Sequence, residues 1–271
     1  MITTSIIIPT FCPQNYLFES LQSLLEQKNC TFDVIIVLNG PEEPYRTAIR
    51  DFIAEHKLKN FHLLYSPLPG VSAARNFALD RITSDYVVFL DDDDLVNLEY
   101  LSELLKKASP ESLVASNFLS FTDNEKSSFS QDYCGREFRR TQPEKNCLKP
   151  HQCPSEFSSC CGKLIPAKII GKIRFNSKIF CGEDSLFMFQ LLGNGISQVY
   201  YAPLAEYQRR IRQNSASRKK YTVRTILKNR LELLYLYICC YLKNVDKITP
   251  GFFLRRIAAV TKGFFYLIRQ K

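Results

Sequence analysis

The sequence predicts an α/β fold around a mainly parallel, buried sheet, and three observations carry that prediction. First, four short apolar runs (Ser5–Ile8, Phe32–Leu38, Phe61–Tyr65 and Tyr86–Leu90), all but the third rich in β-branched residues, read as buried strands. Second, apolar residues between the runs recur at helical spacing: Leu17, Leu21, Leu24 and Leu25, then Ala48, Ile49, Phe52 and Ile53, then Ala73, Ala74, Phe77 and Ala78. Third, strand and helix alternate, which is the pattern of βαβ units on a parallel sheet covered by helices. Ligands of such sheets bind outside the carboxyl ends of the strands. Those ends are Pro9-Thr10, Asn39-Gly40, Ser66–Gly70 and Asp91–Asp94.

Each element follows in order. Pro9 stops the first strand, and Asn39-Gly40-Pro41 ends the second. Gly70 precedes the third helix, with Ser72 as its expected N-cap. The fourth strand runs straight into four aspartates. A helix at Leu98–Ala108 and a strand at Leu113–Phe121 come next. Residues 122–160 are polar, with scattered Cys and Pro, and read as an inserted loop or lid. Regular pattern resumes at Gly162–Ile165, in a helix near Leu186–Leu192 and in a strand at Gln198–Ala202. Tyr221–Lys271 reads as two amphipathic helices separated by Pro250-Gly251. The expected organisation is a domain over 1–220 and a basic helical tail over 221–271.

A chain of 271 residues with 45% hydrophobic content can bury a sizeable core. Its net charge of +9 is unevenly spread: residues 209–271 hold 16 Lys and Arg against Glu232 and Asp246, hence +14, which leaves −5 for residues 1–208. The basic end suggests a polyanionic partner, an anionic membrane or a nucleic acid, unless it is a solvated helix face. In the last helix Phe252, Phe253, Ile257, Val260, Phe264 and Leu267 recur at helical spacing among basic residues. That pattern suits either a membrane surface or packing on the domain or on a second copy. The acidic remainder speaks against nucleic acid, which seeks a broad basic face. The start, MITTSIIIPTF, lacks the features of a signal peptide, and no run is long enough to span a membrane. Ten cysteines without a signal peptide are expected to be reduced thiols. Cys134, Cys147, Cys153, Cys160 and Cys161 cluster near His151, but without the paired spacing of a zinc site.

Four adjacent carboxylates at the end of a buried strand repel one another and raise each other's pKa. Asp91, Asp92, Asp93 and Asp94 therefore call for a neutraliser, and a hard divalent cation shared with a diphosphate is the simplest. Capping the following helix could occupy one or two of them. Glu183 and Asp184, just before an apolar helix, could supply a general base or an N-cap. Arg75, in the first turns of its helix, can pair with phosphate or with an aspartate, or lie on the surface.

The segments SIIIPTF, FDVIIVLNG, GVSAARNFAL, YVVFLDDDDLV, CGKLI, IRFNSKIFCGEDSLF and RRIRQNSAS together resemble, in order, the family 2 glycosyltransferases of the GT-A fold, over residues 3 to about 217. The resemblance implies a Rossmann-like sandwich with C-terminal amphipathic helices. It also implies inverting transfer of a sugar from a nucleotide-sugar to an acceptor hydroxyl of a growing surface glycan. Asp91-Asp92-Asp93 looks like the family's D-x-D motif and Glu183-Asp184 like its "ED" motif. By that likeness Pro9, Thr10 and Phe11 line the nucleoside pocket, Asp91 meets ribose or diphosphate, and Asp93 binds Mn²⁺ or Mg²⁺. Arg75 lies beside the diphosphate or the aspartates, and Asp184 is the catalytic base. Asn39 stands where the family usually has an aspartate that accepts from uracil. It keeps a carbonyl acceptor without the charge, so a UDP-sugar is the first expectation. Arg212 stands where a histidine often helps the metal, and its guanidinium can bind diphosphate directly. A lipid-linked glycan acceptor and a cytoplasmic place on the inner face of the cell membrane, with cell-surface polysaccharide or lipopolysaccharide as product, are the family's usual setting.

Three other functions compete with this one. An inactive nucleotide-sugar-binding module would not need both Asp93 and Asp184. A nucleotidyltransferase would carry a glycine-rich phosphate loop where this chain has PTFCPQN. A nucleic-acid binder would rest on the basic tail alone.

Overall fold

The computed structural model of the chain describes residues 2–123, 147–153, 158–212 and 221–269. A nine-stranded sheet forms the centre, with a main path of β3-β2-β1-β4-β8-β6-β9-β5 and with β7 alongside β9. The strands are β1 (Thr4–Thr10), β2 (Asp33–Asn39), β3 (Phe61–Ser66), β4 (Tyr86–Phe89), β5 (Leu95–Val96), β6 (Ser112–Phe121), β7 (Cys147–Leu148), β8 (Lys163–Pro166) and β9 (Gln198–Arg210). The helices are α1 (Asn15–Leu25), α2 (Tyr45–Glu55), α3 (Val71–Leu79), α4 (Tyr100–Leu105), α5 (Ala167–Ile170), α6 (Glu183–Gly193), α7 (Val223–Lys243) and α8 (Pro250–Arg269). Strands β1 to β4 pair in parallel, as expected; β8 runs antiparallel between β4 and β6, and β6 pairs with β9 in parallel. Every residue of β1 and of β4 is buried, which is why both read as unbroken apolar runs.

The chain leaves β1 for β2 and β3 on one side, then crosses to β4 on the other. The crevice between the ends of β1 and β4 is therefore the switch point, where open α/β sheets bind ligands. Proline opens it further. The β1–β4 ladder ends as Leu90 donates to the Ile7 carbonyl, and Pro9 would next offer an N–H on that side but has none. The ladder stops there, with Thr10 at the end of β1 and Asp91–Asp94 following β4, joined by a hydrogen bond from the Thr10 hydroxyl to Asp92.

Two sequence expectations need correction. Ser72 lies buried inside α3, and Gly70 (φ 114°) takes the N-cap position, in a backbone conformation that favours glycine. Strand β9 runs on to Arg210, well past Ala202. Its register against β6 jumps from Ser116–Ala202 to Asn117–Glu206, so that Pro203–Ala205 bulge out and the pairing resumes. The proline and the polar alternation after it hid the second half of the strand.

The tail is packed on the domain. Phe252 stacks on Phe189 of α6 at 5.9 Å, and Phe253 stacks on Tyr241 of α7 at 4.2 Å. Phe252, Arg256 and Val260 are buried. The face of α8 that the sequence offered to a membrane is thus turned inward over these residues. Among the described residues, no helix is long and apolar enough to cross a membrane.

Candidate active site

The four aspartates at the switch point are separated by their partners. Asp91 Oδ1 accepts from Arg75 Nη2 at 2.7 Å, and Asp92 Oδ2 accepts from the Thr10 hydroxyl at 2.5 Å. Asp93 Oδ2 lies 2.5 Å from Arg212 Nε. Asp94 accepts from the Tyr207 hydroxyl at 2.6 Å and from the Arg210 backbone N–H at 2.8 Å. The unforeseen half of β9 supplies both of those donors. Arg210, itself buried, also donates to the Asp93 carbonyl at 2.8 Å and to Glu19 at 2.6 Å. Asp94 is thus a structural anchor of the turn, while Asp91 is open, with its side chain 42% exposed.

Crowding and burial show in the acidities. Burial pushes the Asp92 carboxyl up to about 7, with Asp93 and Asp91 adding to the rise and the Thr10 hydrogen bond opposing it. Burial and Asp91 raise Asp93, against the pull of Arg212. Asp94 is raised well above the carboxylate range by burial and by its neighbours. A cluster so costly to ionise favours a bound cation or the approach of basic side chains.

Across the crevice, α6 begins at Glu183. Its N-cap is Gly182 in the left-handed region (φ 99°), so neither acidic residue caps the helix; both lie in its first turn, where the helix dipole favours negative charge. Burial, and next the Asp184 charge, push Glu183 up to about 7. Asp184 Oδ1 accepts from Arg75 Nη1 at 2.6 Å. One guanidinium therefore joins the strand-end aspartates to the α6 pair. Burial disfavours its charge, but Asp184 and Asp91 outweigh that and hold Arg75 ionised. The Arg75 guanidinium carbon lies 5.2 Å from the Phe175 ring centroid and 5.9 Å from that of Phe89, and the side chain is 3% exposed. Of the two places expected of Arg75, it occupies the one beside the aspartates. Its neighbour Asn76 fixes the loop before α6 by exchanging two hydrogen bonds with the Phe175 backbone.

The tail holds the other side of this loop. Asn229 of α7 accepts from the Phe180 N–H at 3.0 Å and donates to the Cys181 carbonyl at 2.9 Å. The Ser185 and Tyr237 hydroxyls lie 2.5 Å apart. A Cβ on Gly182 would meet the Leu233 side chain of α7 at 2.8 Å, and its positive φ favours glycine there. Motif reading missed Asn229, Tyr207 and Arg210. For Asn229 one signal existed: it interrupts the apolar face made by Ile226, Leu233 and Tyr237.

The residues expected at the nucleoside divide by exposure. Phe11 is 54% exposed, with its ring against Gly40, where a Cβ would clash at 2.3 Å. Pro9 and Thr10 are buried, and the Thr10 hydroxyl is spent on Asp92. Asn39 is 2% exposed and stitches the strand ends together: its Nδ2 donates to the Thr10 carbonyl at 2.8 Å and its Oδ1 accepts from the Gly70 N–H at 3.0 Å. Arg212 lies over the Tyr16 ring at 4.4 Å and faces the crevice from the Asp93 side.

A divalent metal fits this donor set in kind. The open carboxylate of Asp91 and the nearby Asp93 are hard oxygen donors, as Mg²⁺ or Mn²⁺ requires, and such ions take one or two carboxylates plus substrate phosphates. Among the described residues no group of three or more His, Cys, Asp and Glu is placed to hold a metal ion by itself. That also leaves the zinc idea without support at Cys147, His151, Cys153, Cys160 and Cys161; Cys134 lies outside the described residues. Burial pushes the Cys153 thiol up to about 12 and the Cys160 thiol well above its usual range, which keeps both protonated.

Comparison with known proteins agrees with this geometry. The family model described as "Glycosyl transferase family 2" matches residues 5–165. The glycosyltransferase GlyA of Streptococcus pneumoniae is 26% identical over 224 residues, which are 79% of this chain and 31% of that protein. The chain thus spans about a third of that relative's length. A β-1,3-glucosyltransferase of Campylobacter jejuni that acts on GalNAc(5)-diNAcBac-PP-undecaprenol is 21% identical over 184 residues, 68% of this chain and 58% of its own. Among solved structures, Staphylococcus aureus TarS (residues 1–349) with UDP-GlcNAc superposes with a TM-score of 0.65 at 18% identity, over 86% of this chain and 67% of that one. The mannosyltransferase PcManGT of Pyrobaculum calidifontis, with GDP-Man and Mn²⁺, gives 0.64 at 16% identity, over 98% and 72%. These likenesses show the GT-A fold. With an aspartate cluster at the switch point facing a helix that starts Glu-Asp, and with the family's model covering more than half of its length, the chain belongs to glycosyl transferase family 2.

Proposed function

We propose that the chain transfers a sugar, with inversion, from a nucleotide-diphosphate sugar, UDP-linked in the first instance, to an acceptor hydroxyl of a growing surface glycan or lipid-linked glycan. The observation that carries this reading is the Arg75 bridge, at 2.7 Å to Asp91 and 2.6 Å to Asp184. It sets a donor-side acid and an acceptor-side acid a single guanidinium apart. The exposed ring of Phe11 offers a face to the base, with Pro9, Thr10 and Asn39 shaping the strand ends beneath it. Asp91, with Asp92 beside it, meets the ribose or diphosphate. Arg212 faces the same place and can take phosphate oxygens through its fork.

Asp184 takes the proton of the acceptor hydroxyl as that oxygen attacks the anomeric carbon. The bond from that carbon to the diphosphate oxygen breaks, and the nucleoside diphosphate leaves with the bonding pair. Arg75 orients Asp184 through one carboxylate oxygen, and Glu183 contributes to the field of the helix start. Asp93 would hold a divalent cation, Mn²⁺ or Mg²⁺, which would supply positive charge to the departing diphosphate.

Titration calorimetry with UDP, with and without Mn²⁺, on wild type and Asp93→Ala tests the reading. Manganese-dependent binding that Asp93→Ala abolishes is the expected result. Absence of binding with UDP, and then with GDP, CDP and dTDP, would sink it.

A further inference from the structure

The outer face of α7 carries an apolar stripe that the catalytic reading does not use. Val223, Leu227, Leu231, Tyr235, Ile238 and Leu242 are between 43% and 66% exposed. Their spacings of four, four, four, three and four place them within a sector of about 120° of the helix. The opposite face, with Asn229 and Tyr237, is the one that clamps the loop before Glu183. The stripe runs along a helix of 21 residues, on the order of 30 Å. Single exposed apolar residues on a surface need no explanation, but a continuous stripe of six does.

Charge says what covers it. Arg224 and Lys228 lie exposed at the start of the stripe, Arg224 within its sector, and Lys243 and Lys247 lie exposed at its end with Asp246 between them. Arg210, Arg230 and Arg256 of the basic segment are buried, so the exposed charge at the stripe is these four basic residues against Asp246 and the half-buried Glu232. A second copy docked face to face would set these basic rims against each other, and like-charge juxtaposition opposes such pairing. An anionic lipid surface meets both features: the stripe enters the boundary between headgroups and acyl chains while Lys and Arg reach lipid phosphates.

We propose that α7 is an interfacial helix that docks the enzyme on an anionic lipid bilayer through the Val223–Leu242 stripe. The inner face of the same helix holds the Phe180–Gly182 loop, so docking fixes Asp184 relative to the membrane that would present a lipid-linked acceptor. The inference rests on the proposed transfer only for that purpose; the docking itself needs no donor, metal or turnover.

The test is sedimentation of the 271-residue chain with phosphatidylcholine vesicles containing about a third phosphatidylglycerol, and with phosphatidylcholine vesicles alone. Wild type is compared with the triple variant Leu227→Ser/Leu231→Ser/Leu242→Ser, whose three sites are exposed and outside the catalytic machinery. Circular dichroism and UDP calorimetry on the same preparations check folding and the donor site separately. Wild type is expected to partition at least about tenfold more to the anionic vesicles, with the variant losing at least about tenfold and high salt weakening the rest. Equal partitioning of variant and wild type, equal binding to neutral vesicles, or no vesicle binding would overturn the proposal. So would a concentration-dependent dimer, seen by light scattering, that the variant abolishes without vesicle binding ever appearing.

Discussion

The two acidic halves of the site are held by different means. Asp91–Asp94 end a strand inside a parallel ladder, and each then finds its own partner: Arg75, Thr10, Arg212, or Tyr207 with the Arg210 backbone. Glu183 and Asp184 start a helix whose preceding loop is positioned by side chains, chiefly by Asn76 from α3 and by Asn229, which lies 48 residues beyond Cys181. The first half inherits its place from the sheet; the second borrows it from the tail. Donor binding and proton removal should therefore be separable by mutation, with Arg75 as the joint.

The largest expected separation is at the base. Asp184→Asn should slow UDP release from the sugar donor by about 10²–10⁴-fold while UDP affinity stays near wild type, since the base role proposed for Asp184 acts only in the chemical step. Loss of UDP binding in this variant would place Asp184 on the donor side and merge the two halves. Removing the joint should hurt both. Arg75→Ala leaves Asp91 and Asp184 unpaired, and urea denaturation should show a loss of about 3 kcal/mol, the low end for a broken buried pair because both carboxylates reach solvent. A loss below about 1 kcal/mol would mean that the bridge does not hold the halves together.

Smaller effects sharpen the contrast within the α6 half. Asn229→Ala orphans a backbone N–H and a carbonyl and should cost about 2 kcal/mol by the same measurement. UDP release should slow roughly tenfold with UDP affinity kept, as expected when a base is misplaced. Glu183→Gln gives a signal of a different kind, one that depends on pH. The folded-state pKa of Glu183, about 7, lies above the ordinary value of 4.5, so between those values the folded chain binds more protons than the unfolded one. Its contribution is present at pH 4.5 and falls as pH rises toward 7. Glu183→Gln should match wild type near pH 4.5 and be the more stable of the two above pH 7, measured by thermal melts. A stability difference independent of pH would contradict the assignment.

Strands β1, β2 and β4 were legible because burial demands near-continuous β-branched runs, β3 only as an apolar run at the sheet edge, and the aspartates because four carboxylates at a strand end have few uses. The Arg75 pairing was legible only as two alternatives, since local pattern says nothing of what a guanidinium meets across 109 residues. The far half of β9 was hidden by Pro203 and by polar alternation, and with it the anchors of Asp94. The tail misled in a particular way. Its most periodic apolar face, on α8, is packed inward, whereas the exposed stripe lies on α7. Periodicity marks a face that will be buried and leaves open against what. Asn39 shows the limit for motifs: its position was read correctly as a strand end beside Gly40, but both ends of its amide hold backbone.

The central claim, that the tail holds the α6 half apart from the sheet that holds the aspartates, is tested most directly by native-state hydrogen exchange on wild type and Asn229→Ala. The Phe180 amide, which donates to Asn229 Oδ1, should exchange at least about tenfold faster in the variant, along with its neighbours to Asp184, while amides of β1, β2 and β4 keep their protection. Unchanged exchange at Phe180, or equal loss across the β1–β4 sheet, would show that the two halves are not held separately.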